Sequence, residues 1–130
     1  MRLRLHPEPL AVCRLAPEAD VRPWMWTGPL ASVTRTADEL SVVCAEAAVP
    51  PEVRAERGWR AVEVKGPLDF ALTGVLAGLA GPLAEAGVPV FVVSTHGTDW
   101  LLVKADRLGD ALAALSGAGH AVSPEASGEV

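Results

Sequence analysis

The sequence predicts an α+β chain of ferredoxin-like βαββαβ order, in which a reduced copy of the motif precedes a complete one. Three observations lead there. Between Trp59 and Ser123 the apolar pattern switches from alternation to helical spacing and back, twice. Upstream, Leu30–Thr36 and Leu40–Ala45 read as two strands joined by the polar hairpin Ala37-Asp38-Glu39. A shift of about 60 positions, Pro29 onto Pro89, then lays Val33 on Val93, Thr34 on Ser94, Glu39 on Asp99, Val43 on Val103 and Glu46 on Asp106 without a gap.

Taken in order, Leu10–Leu15 (LAVCRL) is a short strand. Residues 16–29 carry three prolines with Trp24 and Trp26, which are expected to cap a core edge. After the hairpin, Ala47–Val53 reads as a short helix limited by Pro50 and Pro51. Trp59–Lys65 alternates, with Val62 and Val64 facing one way and Glu63 and Lys65 the other. Leu72, Leu76, Leu79, Leu83 and Ala86 form the apolar stripe of a first helix. Asp69 or Thr73 is its candidate N-cap, Pro82 lies inside it, and Gly87 ends it. Val88–Thr95 is apolar on both faces, and Trp100–Lys104 is its hairpin partner. Asp106 is the candidate N-cap of a second helix, in which Leu108, Ala111, Leu112 and Leu115 share a face up to Gly117 and Gly119. His120–Ser123 reads as a last strand. The expected organisation is 1–58 as the reduced module, 59–122 as the complete one and 123–130 as a polar, disordered tail.

Composition narrows the function classes. The chain has 130 residues, half of them hydrophobic, enough for a packed core. The formal charge of -5, with basic residues scattered, argues against a phosphate-backbone partner, so no nucleic acid is expected. Cys13 and Cys44 sit in apolar runs and read as core residues of a reducing compartment. MRLRLHPEPL lacks the apolar segment of a secretory signal. The apolar stretch 71–93 is interrupted by Pro82, Glu85, Pro89 and glycines, which argues against a membrane span. A cytoplasmic protein is expected. His6, His96 and His120 have no companions at metal-ligand spacing, no glycine run has phosphate-loop form, and no nucleophile–base pair stands out. Neither a metal nor a cofactor nor an enzyme is expected.

The run GPLAEAGVPVFVVSTHGTDWLLVKADRL strongly resembles the ACT-domain proteins of the small tandem, CASTOR-like type. Its signature is PLAEAG, a V-x-V strand and ST-x-x-TD-x-LLV. GPLDFALTGVLAGLAGPL is similar to the loop and first helix of that group, and RTADELSVVC fits its degenerate first module. The resemblance covers about residues 59–120 and implies two tandem ACT modules, the first one reduced. It further implies binding rather than catalysis: a small molecule, often a free amino acid, held at an interface between modules or protomers. A homodimer and an unknown protein effector go with it. Carried over by position, the site comprises Asp69, Leu72, Thr73 and Gly74 before the helix, Val88, Pro89 and Val90 leading into the strand, and Thr95, His96, Thr98 and Asp99 in the hairpin.

Physical chemistry is compatible with that set. The N–H groups at the start of the first helix, near Thr73 and Gly74, suit a carboxylate. Asp99 suits an ammonium or a basic side chain. An apolar strand such as VPVFVV at a sheet edge invites a second module or chain. Plainer roles stay open. Asp99 can be a solvated hairpin carboxylate, Asp69 a partner of the helix dipole, Thr73 and Gly74 a cap and a packing contact, and His96 an exposed histidine. The alternative function is a structural dimerisation or assembly module without a ligand.

Overall fold

The computed structural model describes residues 1–65 and 74–124. Its strands are β1 (Arg2–Leu5), β2 (Leu10–Leu15), β3 (Ser32–Arg35), β4 (Leu40–Ala45), β5 (Arg54–Val64), β6 (Phe91–Ser94), β7 (Asp99–Lys104) and β8 (Ala121–Pro124), with helices α1 (Val75–Glu85) and α2 (Leu108–Gly117). They form two compact units, Glu8–Trp59 and Met1–Pro7 with Arg60–Val130. The fold is α+β and ferredoxin-like.

In the Glu8–Trp59 unit the strand order is β3-β4-β2-β5, each pair antiparallel. This is the ferredoxin-like order, with the fourth strand beside the first, then the third, then the second. Both helices of the motif have shrunk. In place of the first is a single 3₁₀ turn, Pro23–Trp26, with proline in its first turn where the missing N–H costs nothing. Met25 is the side chain that plugs the core, with Trp24 packed beside it. Trp26 is 58% exposed, so it does not cap a core edge as expected. The helix expected at Ala47–Val53 is a three-residue 3₁₀ turn, Glu46–Ala48. Pro50 forces extended backbone on Val49 (ψ 124°), which stops the helix before it starts. β5 begins five residues earlier than its alternation suggests. Val12 pairs with Glu56 but Leu10 with Trp59, so β5 carries one extra residue. Gly58, at φ +79°, takes up that bulge, and its N–H donates to Glu46 Oε1 at 2.7 Å.

Cys13 and Cys44 are free and buried in this core with Ala11, Leu40 and Val42. Cys13 pairs with Val42 and Ala11 with Cys44, so the thiols lie diagonally on one face of adjacent strands. The hydrogen bond from the Cys13 thiol to the Cys44 sulfur, together with burial, pushes Cys13 far above the ordinary thiol range. The same bond pulls Cys44 down. Burial should nevertheless dominate reactivity. A colourless-to-yellow disulfide reagent is expected to find both thiols unreactive in the native protein at neutral pH and reactive after unfolding. Rapid reaction of either native thiol would contradict the packing.

In the second unit the order is β6-β7-β5-β1-β8. The sequence β5-α1-β6-β7-α2-β8 is the complete βαββαβ, with one departure. β1 stands where the fourth strand should pair with the first, antiparallel to β5 (Leu3 opposite Val64) and parallel to β8 (Leu3 opposite Val122). Ser123 and Pro124 pair with Arg4 and Leu5. β1 is absent from the sequence-based expectation, because four residues of alternation carry little weight until their partners, some 60 and 120 positions on, are known. Leu3, Val62, Val64, Leu101 and Val103 turn to the helices and pack on Leu79, Leu83, Ala111 and Leu115.

Helix ends follow local chemistry. Gly74, at φ +78°, precedes α1 without a side-chain cap, and the expected caps Asp69 and Thr73 lie outside the described residues. Pro82 is carried inside α1. It cannot donate to the carbonyl of Gly78, and His120 Nε2–H donates there instead at 3.0 Å. Gly87 (φ +72°) closes the helix, with Val88 N–H bonded to the Leu83 carbonyl at 2.9 Å. Arg107 adds bonds to the carbonyls of Gly87 and Ala86 at 3.1 and 3.3 Å. Asp106 is not the N-cap of α2. It lies within a 3₁₀ turn, Ala105–Arg107, that runs straight into the helix.

The two hairpins correct the repeat register. Thr36 N–H bonds the carbonyl of Glu39, and Thr95 N–H that of Thr98, at 2.9 and 2.8 Å. Arg35 pairs with Leu40, and Ser94 with Asp99. The 3₁₀ turns after them begin at Glu46 and Ala105. The repeat shift is therefore 59 (94 − 35, 99 − 40 and 105 − 46), not 60. A slip of one residue exchanges the two faces of a strand, so Asp99 corresponds to Leu40 rather than Glu39.

Candidate functional site

The structure gathers part of the expected site at one end of the second unit. The β6–β7 turn is closed by Thr95 and Thr98 through main-chain and hydroxyl bonds of 2.8 to 3.3 Å. Thr98 Oγ1 donates to the carbonyl of Val64 at 2.7 Å. Val64 ends β5, so the hairpin is tied to the end of that strand. Beside it, Ser94 Oγ donates to Asp99 Oδ1 at 2.7 Å across the first pair of the ladder. That bond fixes one carboxylate oxygen of a half-buried aspartate at the sheet end. It leaves the other oxygen able to accept from a cation, where a charge-assisted bond is stronger than a neutral one. His96 stands exposed at the tip of the turn. Of the group before the helix, Asp69, Leu72 and Thr73 lie outside the described residues, whereas Gly74 is exposed at the start of α1.

Val88, Pro89 and Val90 are not part of that gathering. They precede Phe91, at the opposite end of β6 from the turn, about 13 Å of strand away at 3.3 Å per residue. Val88 is 3% exposed and packs in the core, Val90 packs against the same core, and Pro89 is exposed.

Two features escaped sequence reasoning. The sequence marks Ser94 as a strand and motif residue but not as a partner of Asp99. The signal for its role is the ladder, which sets it opposite Asp99, and that register is not visible without the turn closure. The second is a cluster on β1, β5 and β7. His6 is 7% exposed, its Nε2 lies 2.9 Å from Glu63 Oε1, and its ring stacks on Trp100 at 5.0 Å. Arg60 Nε donates to the His6 carbonyl at 2.9 Å. Its residues are scattered along the chain and meet only because β1 is inserted. Among the described residues no group of three or more His, Cys, Asp or Glu is arranged to hold a metal. No helix there is long and apolar enough to cross a membrane.

Comparison with known proteins agrees with this architecture. Residues 54–117 match the model of an ACT domain, and residues 8–52 match a second family model described as an N-terminal domain. Protein Atu0741 from Agobacterium tumefaciens is 35% identical with a TM-score of 0.90, covering 95% of this chain and 92% of that one. The regulatory subunit of aspartate kinase from Thermus thermophilus shares the fold at a TM-score of 0.59 and 11% identity, covering 86% and 93% of the two chains. Over 58 residues the chain is 40% identical to the cytosolic arginine sensor for mTORC1 subunit 1 of Homo sapiens, a stretch that is 44% of this chain and 18% of that relative. The match thus spans less than a fifth of the curated relative. The ACT match runs from β5 to α2, so fold and sequence agree that residues 54–117 of this chain are an ACT domain.

Proposed function

We propose that the chain is a non-catalytic regulatory module that binds a free amino acid at the hairpin end of its second repeat. The observation that carries this reading is the Asp99 carboxylate, steadied by Ser94 at 2.7 Å beside a turn that Thr98 anchors to the end of β5. Asp99 meets the ligand's ammonium or basic side chain. Thr95, His96 and Thr98 frame it, and Asp69, Leu72, Thr73 and Gly74 meet its carboxylate. The likeness to a relative named as an arginine sensor supports an amino acid as the ligand class. Pro89, exposed at the far end of β6, contributes across an interface with a second copy, in a cytoplasmic homodimer that signals to a protein effector, while Val88 and Val90 hold that strand to the core. The ligand set contains neither metal nor cofactor, and nothing is turned over.

The test is a thermal-shift screen of the purified protein against the free amino acids, followed by calorimetry on any hit. A ligand at a hundred times its dissociation constant should add about 2.7 kcal/mol to stability. Asp99→Ala should then weaken binding roughly 10- to 100-fold, the worth of one charged hydrogen bond. The unliganded melting point should barely move, since the turn keeps its own bonds. A dimer that answers to no amino acid would favour the assembly reading instead.

A further inference from the structure

The first repeat treats the corresponding corner differently. Under the shift of 59, Arg35 holds the place of Ser94, at the end of β3 as Ser94 is at the end of β6. Its guanidinium reaches across to the segment after β2. Nη1 donates to the carbonyl of Pro17, and Nη2 to that of Ala19 at 2.9 Å. Those carbonyls are presented by a turn closed by Ala19 N–H to the Ala16 carbonyl at 3.0 Å. Arg14 ties the same hairpin down from β2, through Glu39 Oε1 at 2.6 Å and the Asp38 carbonyl at 3.3 Å. The planar fork of Arg35 thus satisfies two converging acceptors that no backbone N–H takes in a strand ladder. In the second repeat the same position carries a serine, whose hydroxyl turns to Asp99.

We propose that the carbonyls of Pro17 and Ala19 form a guanidinium site that Arg35 fills from within the chain, so the first repeat takes no free ligand while Arg35 is present. The contrast between the repeats rests on reading the second as the ligand-binding one, but the site itself is drawn from the first alone. Its chemistry selects a planar cation with parallel N–H donors. An ammonium also has several donors, but they diverge tetrahedrally from one nitrogen and match the parallel fork less well.

Arg35→Ala should empty the site. The melting temperature is expected to fall by roughly 2–6 °C, as for the loss of bonds from a charged donor in a chain of this size. Ethylguanidinium chloride at about 20 mM should recover part of that loss in the variant by mass action. It should also move the amide resonances of Glu18 and Ala19. Ethylammonium chloride at the same concentration should do neither, and wild type should respond to neither salt. Absence of both recovery and amide movement in the variant overturns the proposal, as does an equal effect of ethylammonium or an equal response of wild type. Residues 95–99 take no part in this experiment, so failure of the amino-acid screen and failure of the rescue are separate results.

Discussion

Leu79→Ala is expected to lower stability by about 2–5 kcal/mol, the range for truncating a fully buried leucine that leaves a cavity. Leu79 is 0% exposed. It projects from α1 into the cluster formed by Leu3, Val62, Val64, Leu101 and Val103, where three strands and both helices share one interior. The helix cannot sink to refill the space without disturbing two constraints at its ends. His120 holds the Gly78 carbonyl, and Arg107 holds those of Ala86 and Gly87. Denaturant unfolding measures the effect. Leu76→Ala on the same helix is the control, because Leu76 is 40% exposed and should lose far less. Equal losses at the two positions would show that the stripe on α1 has been assigned to the wrong face.

Gly28→Ala is the second large effect, and it acts through the backbone. Gly28 sits at φ +91°, and a Cβ there would meet the Ala45 nitrogen at 3.0 Å and Leu10 Cδ2 at 3.2 Å. The chain is pressed onto β4 at this point because the Thr27 carbonyl accepts from Ala45 N–H at 3.2 Å. The left-handed conformation alone costs an alanine about 1–2 kcal/mol. Crowding a backbone atom rather than a flexible side-chain end adds to it, so a total of about 2–4 kcal/mol is expected. Gly58→Ala separates the two contributions. Gly58 has φ +79° but open space around the added Cβ, so it should show the conformational cost only. If both variants melt together, the close approach at Gly28 has no energetic weight.

Much of the fold was legible because it is written in short-range patterns. β2 and β4 have the bounds expected from their apolar runs, and Gly87 ends α1; Leu79, Leu83, Ala111 and Leu115 are buried as their spacing requires, whereas Leu76 and Ala86 of the same expected stripe are exposed. The misreadings share a different origin. Ala47–Val53 has helical composition, but two consecutive prolines limited it to one 3₁₀ turn. Asp106 is a good cap by residue type, yet the main chain was already turning when it was reached. Trp26 is apolar and exposed, whereas its neighbour Met25 fills the core.

The candidate site was legible in part for the same reason. Thr95, Thr98 and Asp99 were recognisable as hairpin residues, and the turn does close on the two threonines. That Thr98 fastens the turn to Val64, that Ser94 steadies Asp99, and that Val88–Val90 lie at the far end of β6 depend on strand pairing. His6 meeting Glu63 and Trp100 depends on it as well.

By itself the sequence determined the class of fold and the identity of the polar hairpin, because periodicity and turn chemistry act over a few residues. The tertiary structure alone decided the insertion of β1 between β5 and β8, the repeat shift of 59 and the partners of Asp99 and Arg35. Each of these is a hydrogen-bond choice between segments distant along the chain. Many registers satisfy the same local pattern, and only the closed ladder, with its backbone donors and acceptors matched, selects one of them.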